Sequence, residues 1–334
     1  MSLSEGWMAN VNGMHHKFSV EDLTVNINTV DRPQYLDACL SSLLRTTPAG
    51  VSLQIVFNGS PEETVEKTIA QAQTWDGPTN FVVLEEILPI SESHNSALAS
   101  VETSLVNFMG DDDVVLGNRI PVLIDVFNRN NPTPVVVTSH ARRIAGDPYY
   151  PKIGSIKKLG PTTILEWRKF HQSGEPFELL WPGAVLDVEA LRSIGGFEQP
   201  FEMAFDCRIF SQMSFVGPVI SSTDRQFGFR IHQGSMSSNN WDAQRENLRY
   251  IGACHRARVS GSEAPSLSEF LATEARSSVF KLLKQRRRDR SQMLFRSGGQ
   301  QWLSGQRIRG GRNLLQSALT WPPAFVQKIL DQSR

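Results

Sequence analysis

Three consecutive aspartates, Asp111, Asp112 and Asp113, follow directly on the apolar run from Ser104 to Gly110. A strand that ends by presenting carboxylates at i and i+2 can hold a hard divalent cation. Such a cation takes oxygen ligands and keeps positions open for phosphate oxygens. Three like charges side by side repel one another, and burying them unpaired is costly. A cation at the strand end relieves both penalties. The competing reading is a solvated acidic turn that caps the next helix.

The elements that would position this cluster alternate. Segments 24–30, 52–57, 81–84, 104–109 and 134–138 are rich in β-branched and apolar residues and predict strands. Between them, 35–45, 62–73, 91–101 and 117–129 predict helices; Pro33 suits a first helical turn, and Leu36, Leu40, Leu43 and Leu44 share one face. This alternation predicts an α/β fold with a mostly parallel central sheet covered by helices. In such sheets ligands bind outside the carboxyl ends of the strands. Thr29, Val30 and Asp31, the turn 58–60 and the three aspartates all fall at strand ends, so three loops converge on one edge.

Residues 140–182 read as irregular apart from a helix over 162–171, and long irregular segments are often functional loops. The stretch 179–187 returns to the sheet. A short helix over 188–194 is stopped by Gly195 and Gly196, another spans 204–215, and 228–235 reads as strand then loop. After about residue 240 only helices are expected, one of them carrying the basic run 284–290 (KQRRRDR). That run is either a solvated helix face or a contact for an anionic membrane or polymer. The tail from Arg312 to Leu330 could pack on the domain, lie on a membrane or mediate homo-oligomers.

Composition is that of an average soluble protein, 40% hydrophobic and 20% charged. Lys+Arg and Asp+Glu both number 34, so net charge gives no support for a nucleic-acid partner. The cysteines Cys39, Cys207 and Cys254 are widely spaced without a CxxC pair, which favours a reduced compartment and no zinc site. The first 23 residues form a polar tail without the apolar stretch of a signal peptide. No run approaches the roughly 20 apolar residues of a membrane span. The expected location is cytoplasmic, at most peripheral on the inner face of a membrane.

Six short motifs occur in order. They are 28–33 (NTVDRP), 55–60 (IVFNGS), 93–98 (SHNSAL), 108–113 (FMGDDD), 195–198 (GGFE) followed by Asp206, and 230–232 (RIH) followed by Ser235 and Ser237. Together they resemble the family 2 glycosyltransferases of GT-A fold, whose patterns read P-T-x-N-R-P, V-V-D-[DN]-G-S, A-R-N-x-G-L, F-x-D-D-D, G-G-F-D-E…E-D and Y-R-x-H…S. The resemblance covers about residues 24–240. It implies a nucleotide-binding half over 24–139, an acceptor and catalytic half over 140–240, and a helical extension over 241–334.

What the resemblance implies for function is concrete. A sugar would pass from a nucleotide-diphosphate sugar (UDP-, dTDP- or GDP-linked) to a hydroxyl of a glycan, polysaccharide or lipid-linked acceptor, with inversion. Asp111 and Asp113 would hold Mn²⁺ or Mg²⁺ on the diphosphate, and Asp112 would contact the ribose or sugar hydroxyls or face solvent. His232 would be a further metal ligand, a diphosphate contact or a packed histidine. Asp206 would be the general base, unless it is only a helix-start carboxylate facing the dipole. Thr29, Val30 and Asp31 would meet the base or ribose. Asn58 would offer a donor and an acceptor to a pyrimidine edge, or simply make an Asn-Gly turn. His94 and Asn95 would also face the donor. Trp181 and Gly183 would meet the acceptor, although Trp181 could as easily be core.

Several positions depart from the family pattern. Phe57 replaces the first aspartate of the D-[DN]-G-S turn, His94 an arginine, Phe205 the glutamate before Asp206, and Asn28 a proline. These departures motivate a second reading, a catalytically silent sugar- or polymer-binding protein on the same scaffold. A nucleotidyltransferase would need a Gly-rich basic loop after the first strand, and 29–33 lacks glycine. The absence of GxGxxG after that strand counts against a Rossmann dehydrogenase.

Overall fold

The structure, a computed structural model, describes residues 17–157, 160–198, 203–230 and 240–333. The main sheet has seven strands in the order β10-β6-β9-β4-β1-β2-β3. These are β1 (Leu23–Thr29), β2 (Ser52–Asn58), β3 (Thr79–Leu84), β4 (Leu105–Gly110), β6 (Val136–Thr138), β9 (Val185–Asp187) and β10 (Val219–Ser221). β1 pairs parallel with β2 and β4, and β2 with β3, while β9 runs antiparallel between β4 and β6. Central parallel strands are covered on both faces, which is why β1 and β2 are buried along almost their whole length and do not alternate.

Helices α1 (Pro33–Thr46), α2 (Glu62–Ala72), α3 (Ile90–Ala99) and α4 (Ile120–Arg129) follow the first four long strands. Pro33 opens α1 where a missing N–H costs nothing. The fourth helix starts three residues later than the apolar pattern suggests, because Pro121 sits in its first turn. The core joins Ile27, Leu40, Ile55, Phe108 and Phe127 with Val185 and Phe210. Polar residues also lie inside it. Gln54 on β2 donates to Asn26 Oδ1 at 3.0 Å and to the Ala97 carbonyl at 2.8 Å, and Asn28 donates to Ser93 Oγ at 2.9 Å. This ladder fixes α3 against the sheet edge where the ligand loops emerge.

A second sheet differs from the expectation of an irregular 140–182. β5 (Val114–Val115), β11 (Phe227–Arg230), β7 (Ala141–Ala145) and β8 (Lys152–Lys157) pair in that order. β7 and β8 are rich in Arg, Lys and Gly, so neither shows an apolar alternation. β8 pairs with its neighbour β7, and β7 reaches β11, far along the chain.

The remaining helices are α5 (Ile164–Ser173), α6 (Val188–Ser193), α7 (Phe205–Met213), α8 (Trp241–Val259), α9 (Leu267–Ala275), α10 (Val279–Leu303), α11 (Arg307–Thr320) and α12 (Pro322–Ser333). Thr163 caps α5 and Asp187 caps α6, each accepting from a backbone amide three residues on. α10 and α11 form a tight hairpin. A Cβ on Gly310 would lie 2.8 Å from the Gly298 carbonyl oxygen, and the Ser317 hydroxyl donates to the Ser291 carbonyl at 2.7 Å.

Candidate active site

Parallel pairing brings the ends of β1, β2 and β4 to one edge, with Asn28 opposite Gly110. Thr29 Oγ1 donates to Asp111 Oδ2 at 2.7 Å. Arg32, just before α1, donates to Asp111 Oδ1 and, at 2.9 Å, to Asp112 Oδ2. The backbone amide of Arg230 on β11 donates to Asp113 Oδ1 at 2.7 Å, and its guanidinium donates to the Asp112 carbonyl at 2.6 Å and the Pro148 carbonyl at 3.0 Å. The acidic turn thus fastens the second sheet to the first.

Asp111 and Asp113 are almost wholly buried. Burial, reinforced by Asp112, pushes Asp111 up to about 6 against the opposing pull of Arg32 and Thr29. Burial likewise pushes Asp113 well above the carboxylate range, with Asp112 adding to it and the Arg230 amide opposing. Buried, mutually repelling hard-oxygen donors fit a divalent cation. Among the described residues no group of three or more His, Cys, Asp or Glu side chains is placed to hold one. Asp111 and Asp113 would therefore supply part of the ligand set, with water or phosphate oxygens completing it. His232 lies outside the described residues.

A cleft of about 570 Å³ opens above this edge, lined by Thr29, Val30, Arg32, Asn58, His94, Trp181 and Phe205 among others. Asp31 is exposed beside it without lining it. Asn58 lines the cleft, but its amide is engaged with Leu88, accepting from the backbone N–H at 2.8 Å and donating to the carbonyl at 3.0 Å. Asn95 makes the same double bond with Phe197, at 2.9 and 2.8 Å, and so clamps the 195–197 turn onto α3. Both side chains, expected to face a nucleotide, hold loops in this structure.

His94 is enclosed by Phe108, Phe197 and Phe205, with ring centroids 5.0–5.4 Å away. Its Nδ1 donates to the Ile90 carbonyl at 2.7 Å. Burial pulls its pKa down to about 4, so at neutral pH it presents no charge. Phe57 is fully buried in the core and Phe205 lines the cleft.

A second cleft of about 270 Å³ holds Asp206 and shares Trp181 with the first. Ala204 has φ 60° and ψ 26°, a left-handed conformation that costs a non-glycine residue strain. Immediately after this bend, Phe205 lines the first cleft and Asp206 the second. Trp181 is nearly buried, stacked on Phe108 at 5.6 Å, and forms a wall between the two. Gly183 belongs to neither cleft. It is buried, and a Cβ there would lie 2.5 Å from Leu180 and 2.9 Å from Ser139. Its role is close packing under the 179–184 loop, which Asn107 also holds by donating to the Ala184 carbonyl at 2.7 Å.

Arg32 and Arg230 were not singled out by sequence reasoning, yet they make most contacts to the acidic turn. Both lie inside the motifs 28–33 and 230–232, which was the available signal.

A mostly parallel sheet with an acidic turn at its central strand end and a second, smaller sheet beside it is the GT-A architecture. Residues 24–185 match the model for glycosyl transferase family 2. The match includes Asp111 to Asp113 and ends before Asp206. Among curated proteins, the teichoic acid poly(glycerol phosphate) polymerase of Staphylococcus epidermidis is 25% identical over 109 residues, which is 33% of this chain and 15% of that protein. This chain thus spans a small part of that relative's length. Among solved structures, S. aureus TarS residues 1–349 with UDP-GlcNAc superposes with TM-score 0.52 at 14% identity, covering 89% of this chain and 91% of that one. A longer TarS structure gives 0.51 at 14%, covering 87% and 53%. The mannosyltransferase PcManGT of Pyrobaculum calidifontis, in complex with GDP-Man and Mn²⁺, gives 0.50 at 13%, covering 98% and 84%.

Proposed function

We propose that this protein transfers a sugar from a nucleotide-diphosphate sugar to a hydroxyl of a glycan, polysaccharide or lipid-linked acceptor, with inversion. The observation that carries the reading is the pair of clefts divided by Trp181. One is lined by Gly110 and Arg32, next to the acidic turn, and the other holds a carboxylate at the start of α7. The relatives' complexes with UDP-GlcNAc and with GDP-Man and Mn²⁺ support a nucleotide-sugar donor and a divalent cation.

In this reading Asp111 and Asp113 hold Mn²⁺ or Mg²⁺, which offsets charge on the departing diphosphate. The donor lies over the ends of β1, β2 and β4, beside Thr29, Val30 and Arg32. The acceptor enters the Asp206 cleft. Its oxygen forms a bond to the anomeric carbon as the bond from that carbon to the diphosphate oxygen breaks. The electron pair leaves with the diphosphate, and Asp206 takes the acceptor proton. Attack opposite the leaving group inverts the anomeric centre.

A thermal-shift panel of UDP, GDP, dTDP, CMP and ADP, each with and without Mn²⁺, tests the donor half. Stabilisation by one diphosphate only with metal supports it and identifies the base. No shift from any nucleotide removes its main support. The second reading, a silent sugar- or polymer-binding protein, is favoured by the internal engagement of Asn58 and the uncharged, enclosed His94. It would retain glycan binding without metal-dependent nucleotide affinity.

Among the described residues no helix is long and apolar enough to cross a membrane. On α11, Ile308, Leu315 and Leu319 form one exposed stripe at helical spacing, flanked by exposed Arg309 and Arg312. Together with the exposed Phe280 and the basic run on α10, this stripe supports peripheral contact with an anionic lipid surface.

A further inference from the structure

We propose that the Asp206 cleft is an anion-binding site, and that the acceptor carries a phosphate group close to the hydroxyl that receives the sugar. Calling the ligand an acceptor rests on the transferase reading above; the anion site itself does not.

Four cations from four different elements line this one cleft: Arg143 on β7, Arg245 on α8, Arg296 on α10 and Lys328 on α12. Only two carboxylates, Glu178 and Asp206, line it with them. Glu178 is paired with Arg245 at 3.1 Å. The Arg143 side chain makes no ion pair with a carboxylate among the described residues, although it is largely withdrawn from water. Burial pulls its pKa below the ordinary arginine value. Arg296 is pulled down by burial first, then by the charges of Arg143 and Arg245.

Holding the Arg143 guanidinium beside other cations in a half-buried cleft is unfavourable unless something anionic answers it. Their arrangement is also built. Arg245 lies over the Trp241 ring at 4.9 Å and Arg296 over the same ring at 5.9 Å. Trp241 is fixed in turn by its indole N–H, which donates to the Asp289 carbonyl at 3.1 Å. Guanidinium groups recognise phosphate oxygens by paired, charge-assisted hydrogen bonds, and a neutral glycan offers nothing of that strength. Phosphate at the arginine end would leave a neighbouring hydroxyl to reach toward Asp206 and Trp181. The site also gives the C-terminal helices a purpose, because α10 and α12 supply two of the four cations. The phosphate could belong to a polyol-phosphate chain or to a lipid phosphate headgroup, and the chemistry recognised is the same.

The test is calorimetric titration of the intact protein with a soluble glycerol-phosphate oligomer, with farnesyl phosphate and with maltotriose. Arg143→Gln and Lys328→Gln are titrated alongside. Lys328 is exposed, so its variant decides the matter if Arg143→Gln does not melt cooperatively. The expected result is binding of one or both phosphate probes, weakened by added salt, with each variant losing about tenfold in affinity, the scale of one charge-assisted hydrogen bond. Oligomer binding alone points to a polymer source, and farnesyl phosphate alone to a lipid. Equal binding of maltotriose, unchanged affinity in the folded variants, or no binding of either phosphate probe overturns the proposal. The nucleotide melts run on the same samples separate the two readings. Nucleotide without phosphate-probe binding sinks only the anion site. Phosphate-probe binding without nucleotide sinks the transferase reading and leaves the anion site standing.

Discussion

Arg32 and Asp111 form an ion pair at the end of the central strands, with the arginine reaching on to Asp112 at 2.9 Å. Asp111 is fully buried and the Arg32 side chain is 38% exposed. One cation therefore lies across the carboxylates expected to meet a metal. Arg32→Gln should lower metal-free stability by about 1–2 kcal/mol, discounted from the buried-pair range because the arginine is partly solvated. It should also enlarge the Mn²⁺-induced rise in melting temperature. A melt unchanged without metal would show that the pair contributes nothing.

Asp206→Asn keeps the shape of the side chain and removes its basicity. Transfer should fall by roughly 10²–10⁴-fold, the usual worth of a positioned general base. Nucleotide-induced stabilisation should persist, since Asp206 lies outside the first cleft. Full turnover in this variant would remove Asp206 from the mechanism.

Asn95 holds Phe197 by two hydrogen bonds, and Phe197 in turn packs against Phe108 and Trp181. Asn95→Ala should cost about 1–3 kcal/mol in urea unfolding, because it leaves the Phe197 amide and carbonyl unpaired. Gly196→Ala should also destabilise. Gly196 has φ +69°, and a Cβ there would lie 2.6 Å from Asn95 Oδ1.

His94 and His171 both have pKa values pulled down to about 4, His94 by burial and His171 by burial first and then by the charges of His255 and Arg258. In the unfolded chain they titrate near 6.5. The unfolded state therefore binds more protons between those values, and stability falls as pH falls. The contribution is fully present above about 6.5 and lost toward 4. Melting temperature measured between those limits should drop with acid. His94→Gln should flatten the curve in that window, and an unchanged slope would assign the acid sensitivity elsewhere.

The α11 stripe can be tested by sedimentation with phosphatidylglycerol vesicles. Ile308→Asp and Leu315→Asp should reduce binding several-fold without altering the fold, because both side chains face solvent. Pelleting equal to that of the unaltered protein would exclude the stripe as the contact.

The long parallel strands and their helices were legible because each is a local pattern. The second sheet was not, since β7 and β8 carry no apolar alternation and β7 joins β11, far along the chain. Asn58 and Asn95 stand out in their motifs, but sequence cannot distinguish an amide that meets a ligand from one that holds a loop. Both satisfy the same donors and acceptors, and only the neighbour differs.

By itself, the sequence determined the strand–helix alternation, the acidic turn at the end of β4 and the ordered motifs of the family. These are set by propensity, by periodicity and by adjacent residues. Only the tertiary structure decided that Arg32 lies across Asp111, that Trp181 divides two clefts, and that Arg143, Arg296 and Asp206 line one cleft. Such meetings join residues far apart in sequence, and the packing of separate elements brings them together. Burial then sets their charges, because removing water is a property of the assembled core and of no single segment.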